Sequence, residues 1–263
     1  MQILNAQFDE VIFFDRLHGA PSSVLLLDYD GTLAPFAPQR ERAFPYHGIL
    51  ELVTSISRGS RTRVGIVSGR PLLDLIRLVG PGFELWASYG IEHRTREGAI
   101  DSPEVPLGLT ALLNDTADWI ERRGWGAILE RKPFGLALHA RADRQMFPSA
   151  APSILAQWSA SLMERGLEMF SFDGGVEFRP IGRHKGRVVE RVLEESGPDV
   201  PIAYLGDDTT DEDAFRVLRG LGLGVRVHPR WSATMADAWL QPPHGVVEFL
   251  KRWGAARFPV QET

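Results

Sequence analysis

The 263-residue chain contains no cysteine, which excludes disulfides, thiolate metal sites and cysteine nucleophiles together. It has no apolar run approaching the roughly 18 residues that a membrane-spanning helix needs. Its opening, MQILNAQFDEVIFFDRL, places three acids ahead of its first base and has no basic stretch before an apolar one, so it does not read as a secretory leader. Concentrated positive charge is missing too. The 29 Lys and Arg are scattered against 34 Asp and Glu, for a net charge of -5, which leaves no footprint for nucleic acid or an anionic membrane surface. Internal repeats and low-complexity tracts are absent. What remains is a globular composition, 44% hydrophobic and 24% charged, expected in the cytoplasm and long enough for one generous domain or two smaller ones.

Against that background, several short apolar runs stop abruptly at Gly, Ser or Asp: VLLL (24–27), RVGIVSG (63–69), FELWAS (83–88) and PIAYLGDD (201–208). Between them lie PYHGILELVTSISRG, PLLDLIRLVG and KGRVVERVLEESG, with apolar residues at helical spacing and a glycine at or near the end. Continuous apolar strands alternating with helices predict an α/β fold, a doubly wound and mostly parallel sheet covered on both faces. The middle of the chain reads differently. GWGAILERKPFGLALHAR (124–141) predicts a hairpin around Lys-Pro-Phe-Gly, and LEMFSFDGGVEFRPIG (167–182) a second around Asp-Gly-Gly. With the helical candidates LTALLNDTADWIERRG and APSILAQWSASLMERG, residues 105–180 read as a small α+β cap inserted between core segments 1–104 and 181–263. From Gly254 onward the chain is expected to be a loose tail.

In an open parallel sheet, ligands bind beyond the carboxyl ends of the strands. Those ends carry Asp28 and Asp30, then Ser68-Gly69-Arg70, then Asp207 and Asp208, with Asp211 one turn further. If the strands are neighbours, at least four carboxylates share one edge, and like charges that close repel by more than about 1 kcal/mol each even in water. A cation is required there. With no Cys and no nearby His pair, hard oxygen ligands remain, and they suit Mg2+. Backbone N–H groups near Gly31, the Ser68 hydroxyl and the Lys185 ammonium add the donors of a phosphate site. A carboxylate in such a site can attack phosphorus.

DYDGTL, VSGR, HKG and GDDTTDED, in that order, resemble the four signature motifs of the haloacid dehalogenase superfamily of phosphatases. The resemblance implies that Asp28 is the nucleophile and Asp30 the acid that protonates the leaving oxygen and then the base for water. It implies that Ser68 and Lys185, with Arg70 beside them, hold the phosphoryl oxygens. It further implies that Asp207 binds Mg2+ with Asp28 and the Asp30 carbonyl, supported by Asp208 and Asp211. The long fourth motif GDDTTDEDAF, with SYGIEH, LERK, LHAR and VEFRPIGRHKG, resembles the trehalose-phosphatase family more narrowly. The chain departs from that family's usual pattern at His184, where Asn is common before the motif-three Lys. Arg131 and Ala140 are further departures, where a His and an aromatic are frequent.

Each feature also has a plainer account. Asp28 and Asp30 could be a surface turn pair, Ser68-Gly69-Arg70 a cap before Pro71, and Glu212 and Asp213 helix-dipole partners. The tryptophans, including Trp86, Trp231, Trp239 and Trp253, read as core. On the cap hairpins, residues two apart share a face, so Glu130 with Lys132, His139 with Arg141, and Glu177 with Arg179 are paired groups able to bind sugar hydroxyls or to form salt bridges. Arg131 is counted among the same substrate groups. What the resemblance implies is a Mg2+-dependent phosphatase that hydrolyses trehalose 6-phosphate through an aspartyl-phosphate; functional pairing with a trehalose-phosphate synthase is left open by the sequence. Alternatives are a phosphatase for sucrose phosphate or mannosylglycerate phosphate, or a non-catalytic sugar-phosphate binder. A phosphorylated signalling receiver lacks the second acid at Asp30 and needs only about one small domain.

Overall fold

The structure, a computed structural model, describes residues 1–257 except 38, 60 and 173. The chain divides into two compact units, Met1–Asp101 with His184–Thr263, and Ser102–Arg183. The first is built on a nine-stranded sheet. Its strands are β1 (Gln2–Ile3), β2 (Ser23–Asp28), β3 (Thr62–Val67), β4 (Glu84–Ala87), β5 (Glu92–Arg94), β6 (Ile100–Asp101), and later β11 (Ile202–Gly206), β12 (Leu223–Val227) and β13 (Ala238–Leu240), in the order β1-β13-β12-β11-β2-β3-β4-β5-β6. The six from β13 to β4 run parallel, and the edge strands β1, β5 and β6 are antiparallel.

The run VLLL is apolar on consecutive residues because β2 is central and covered on both sides. Leu25 and Leu27 join one core with residues of α1 (Glu10–Gly19), α2 (Ile49–Gly59), α3 (Leu72–Val79) and α8 (His244–Arg257). Val24 and Leu26 join the other, with residues of α6 (Lys185–Ser196) and α7 (Glu212–Leu218). The C-terminal segment differs from expectation. Helix α8 carries the chain through Gly254 to Arg257, anchored by buried Val246, Phe249, Leu250 and Trp253; the rest of the expected tail, 258–263, lies outside the described residues. Trp86 and Trp253 are core, as expected, whereas Trp231 is 63% exposed.

The second unit is a four-stranded antiparallel sheet, β7-β8-β10-β9, formed by β7 (Leu129–Lys132), β8 (Gly135–His139), β9 (Leu167–Phe172) and β10 (Gly175–Pro180). Helices α4 (Leu107–Glu121) and α5 (Phe147–Glu164) cover one face, packing Leu113, Ala117 and Leu162 against Leu136 and Phe178. Both predicted hairpins are present; of the Asp-Gly-Gly turn, Asp173 lies outside the described residues. Among the described residues no helix is long and apolar enough to cross a membrane.

Candidate active site

Strand β2 ends at Asp28, its neighbour β3 leads into Ser68, and its other neighbour β11 leads into Asp207. Because the three strands are parallel and adjacent, their carboxyl ends fall on one edge, and the Asp28 and Asp207 side chains meet there. Asp28, Asp207 and Asp211 each offer an oxygen within 4.8 Å of the others, and all three residues are buried. Lys185, the first residue of α6, extends its ammonium into the cluster, 2.5 Å from Asp28 Oδ1 and 2.7 Å from Asp211 Oδ1.

Asp211 is the hub of this arrangement. Its Oδ1 accepts from Lys185 and from the Tyr204 hydroxyl at 2.5 Å, and its Oδ2 accepts from the Asp207 and Asp208 backbone N–H groups at 3.0 and 2.9 Å. Four donors fill a carboxylate. With its oxygens so occupied, Asp211 fixes Lys185 and the turn bearing Asp207, in keeping with the supporting place expected for it in the cluster. Asp208 caps the short turn Thr209–Asp211, its side chain accepting from Thr209 N–H, which sets it apart from the buried trio. Tyr204 was not among the sequence candidates. The only signal for it was a hydroxyl facing the fourth motif from within an apolar strand.

The electrostatics follow from burial. Desolvation pushes the Asp28 carboxyl up, and the charges of Asp211 and Asp30 push the same way against the Lys185 ammonium. Burial likewise raises the Asp207 carboxyl, with Asp28 and Asp211 adding to it. Burial disfavours the Lys185 ammonium, but Asp211 and Asp28 outweigh it and hold the proton firmly. When all three buried carboxyls are ionised, they exceed the one ammonium by two negative charges, and a cation among them favours that ionised state. Asp28 Oδ2, buried, has no hydrogen-bond partner. The loop closes tightly here: Gly31, at φ 79°, would place a Cβ 2.0 Å from Asp207 Oδ2. Hard oxygens, an orphaned buried oxygen and an excess charge of two fit a divalent cation held by Asp28 and Asp207.

Asp30 and Arg70 face one another. The Arg70 guanidinium donates from Nε to Asp30 Oδ2 and from Nη2 to Asp30 Oδ1, both at 2.6 Å, and from Nη1 to the Arg40 carbonyl at 2.9 Å. The guanidinium of Arg70, expected among the phosphate ligands, thus faces Asp30 and the Arg40 carbonyl. Ser68 is buried, and its hydroxyl oxygen accepts from the Arg70 N–H at 3.1 Å.

The sheet of the second unit separates its polar residues by parity. Register pairs Glu130 and Glu177 with Ala137, on the face opposite the helices. There Lys132 Nζ lies 2.6 Å from Glu177 Oε1 and 3.8 Å from Glu130 Oε1, and His139 Nε2 lies 2.5 Å from Glu130 Oε2. Arg179 shares that face, donating to Glu168 at 3.0 Å over the Phe170 ring. Arg131 does not: one residue out of phase, it turns to α4 and pairs with Asp118 and Glu121. Arg141 lies beyond the end of β8 and is exposed, so it does not share the strand face of His139.

A strand-end aspartate with a second acid two residues on, a lysine and a carboxylate after β11, at the carboxyl edge of a doubly wound sheet, are the features of a haloacid-dehalogenase-like phosphatase. The fold is shared with a haloacid dehalogenase-like hydrolase from Bacteroides thetaiotaomicron (TM-score 0.61, 16% identity, 88% of this chain and 99% of that one). Residues 26–234 match the family model described as trehalose-phosphatase, and the chain belongs to that family. It is 30% identical to trehalose-phosphate phosphatase B of Arabidopsis thaliana over 93% of this chain and 69% of the relative, and 32% identical to the trehalose-phosphate phosphatase of Mycobacterium avium over 90% and 63%. The C-terminal domain of C. albicans trehalose-6-phosphate phosphatase shares the fold at TM-score 0.80, covering 97% of this chain and 99% of that one at 21% identity.

Proposed function

We propose that the protein hydrolyses trehalose 6-phosphate to trehalose and inorganic phosphate, with Mg2+ as its cation and in a cytoplasmic setting. The observation that carries the chemistry is Asp28: Lys185 fixes one oxygen, while the other is buried without a hydrogen-bond partner. That second oxygen forms a bond to phosphorus as the phosphorus–oxygen bond to the sugar breaks. Asp30 supplies the proton that the departing sugar oxygen takes up. Asp30 then accepts a proton from water as the water oxygen bonds to phosphorus, the Asp28–phosphorus bond breaks, and phosphate and the free carboxylate return. Lys185 and the Ser68 hydroxyl steady the phosphoryl oxygens. A divalent cation held by Asp28 and Asp207 supplies charge neutralisation for the phosphoryl group. The sugar hydroxyls are read by Glu130, Lys132, His139 and Glu177, charged groups presented on one face of the small sheet. Such a substrate has to be supplied by a glycosyl-transferring synthase.

The test is phosphate release over a panel of sugar phosphates, with the metal removed and restored, for wild type and Asp28→Asn. The amide keeps the shape but cannot form the acyl phosphate, so a loss of at least about a thousandfold is expected with the circular dichroism unchanged. Chelation silences the wild type and Mg2+ restores it. Turnover by Asp28→Asn within tenfold of wild type rejects the nucleophile, and a preference for another sugar phosphate rejects the substrate alone.

A further inference from the structure

The Asp30–Arg70 pair is more elaborately built than a surface ion pair needs to be. The Arg70 side chain is 4% exposed and that of Asp30 28%. Both guanidinium edges are used: two parallel bonds to the carboxylate and one to the Arg40 carbonyl. A fork of this kind fixes the plane of a carboxylate as well as its position. Each Asp30 oxygen still has a second lone pair beyond the one Arg70 uses.

The backbone behind Arg70 is itself held in an unusual way. Among the described residues, Ser88 and Tyr89 are the two non-glycine residues with positive φ, at 47° and 58°, a left-handed conformation that side chains rarely adopt and that tends to accompany function. From it Ser88 N donates to the Arg70 carbonyl at 2.8 Å and Tyr89 N to the Ser68 carbonyl at 3.0 Å. The Tyr89 ring lies so close over Gly69 that a Cβ there would come within 2.6 Å of it. Glu92, also buried, accepts from the Ser88 hydroxyl at 2.6 Å and from Leu72 N at 3.1 Å, tying the turn to the start of α3. A strained turn thus pins both carbonyls flanking Gly69, and the loop so pinned aims one guanidinium at Asp30.

We propose that Arg70 is the positioning residue of the proton-transferring acid, aimed from a loop that the left-handed Ser88–Tyr89 turn locks in place, and that it serves the leaving group and the hydrolytic water and leaves the attack on phosphorus alone. This rests on the reading of Asp28 as nucleophile and Asp30 as acid. It separates Arg70 from Lys185, which serves the phosphoryl group itself.

The experiment compares kcat/KM for the sugar phosphate that the panel ranks first with kcat/KM for p-nitrophenyl phosphate, whose phenolate departs without a proton. This parameter reports the steps through loss of the leaving group, where only the sugar needs the acid. Arg70→Ala is expected to lower it for the sugar phosphate by about 10²–10⁴, the usual span of general acid catalysis, and to leave p-nitrophenyl phosphate within fivefold. Asp30→Asn should show the same pattern, and Asp30→Asn/Arg70→Ala should be no worse than Asp30→Asn alone, because residues acting as a unit are not additive. Added guanidinium ion should recover part of the Arg70→Ala loss. Equal losses on both substrates, or additive losses in the double variant, overturn the proposal. Arg70→Lys, which keeps the charge but lacks the fork, carries the same comparison if Arg70→Ala does not fold. Asp28→Asn separates the two readings. Full turnover there removes the nucleophile assignment, whereas an inactive Asp28→Asn beside equal Arg70→Ala losses removes only the positioning role.

Discussion

Glu84 shows how a single buried charge can be tolerated and made to contribute. It lies in a sheet core at the start of β4, 8% exposed at its side chain, with Arg63 donating to both oxygens at 2.8 and 2.6 Å and His93 Nε2 at 2.9 Å. Burial pushes the carboxyl up, but the bonds and charges of Arg63 and His93 outweigh it and hold it at about 2, below the ordinary 4.5. A carboxyl depressed in the folded state contributes stability that is present above about pH 4.5 and is lost as pH falls towards 2. At 1.36 kcal/mol per unit the contribution at pH 7 is about 3 kcal/mol. Glu84→Gln is therefore expected to be less stable than wild type at pH 7 by about that amount, with the gap in urea unfolding narrowing steadily towards pH 3. A gap that stays constant with pH assigns the loss to packing instead. The meeting of Asp28 and Asp207 was legible because each is a charged group placed where an apolar strand stops. The Arg70–Asp30 fork and the four donors on Asp211 were not legible, because spacing along a chain reports which residues converge and not which of them pair with one another. Tyr204 and the Ser88–Tyr89 turn went unread, since a hydroxyl inside an apolar strand and a left-handed backbone at ordinary residues leave no compositional mark.

At the level of elements, parity sorts the charged groups of the small sheet. β7 presents Glu130 and Lys132 on one face and Arg131 on the other, where α4 supplies Asp118 and Glu121. The two-residue period made the Glu130–Lys132 pairing legible in the sequence; grouping Arg131 with them ignored that same period. Removing Glu177, 3% exposed, takes away the nearer carboxylate partner of Lys132 and a candidate sugar contact. A lost buried hydrogen bond costs about 1–3 kcal/mol, and more for a charged group. Glu177→Ala is thus expected to lower kcat/KM for trehalose 6-phosphate by about tenfold to a few hundredfold, with p-nitrophenyl phosphate little changed. Arg131→Ala breaks only an exposed ion pair, worth about 0–1 kcal/mol, and should leave the ratio between the two substrates unmoved. Equal losses on both substrates for Glu177→Ala would make that residue structural.

On the scale of the whole molecule, each unit owns its core. Phe178, 2% exposed, packs with Leu113, Ala117 and Leu162 from α4 and α5, while the nine-stranded sheet is filled on its two faces by separate clusters. Truncating a buried Phe to Ala costs about 3–5 kcal/mol. Phe178→Ala is expected to speed amide exchange throughout 102–183 by local opening, while protection of β2 and β11 stays near wild type. Loss of protection in both units together would show a single cooperative block. The alternation of continuous and interrupted apolar runs made both units legible, but the antiparallel edge strands β1, β5 and β6 were missed. Strands of two or three residues are too short to carry a period.

The strand order also has a consequence for how the protein is made. β2, the apolar strand that ends in Asp28, pairs on one side with β3, which follows it closely, and on the other with β11, which begins only at Ile202. The whole of Ser102–Arg183 lies between. At about 5–20 residues per second of synthesis, β2 has one side unclaimed for roughly 10–35 s. An unpaired apolar strand is a template for pairing with another chain. The nascent protein is therefore most vulnerable to aggregation while its second unit is still being translated, and it acquires Lys185, Asp207 and a hydrolytic site only when that period is nearly over.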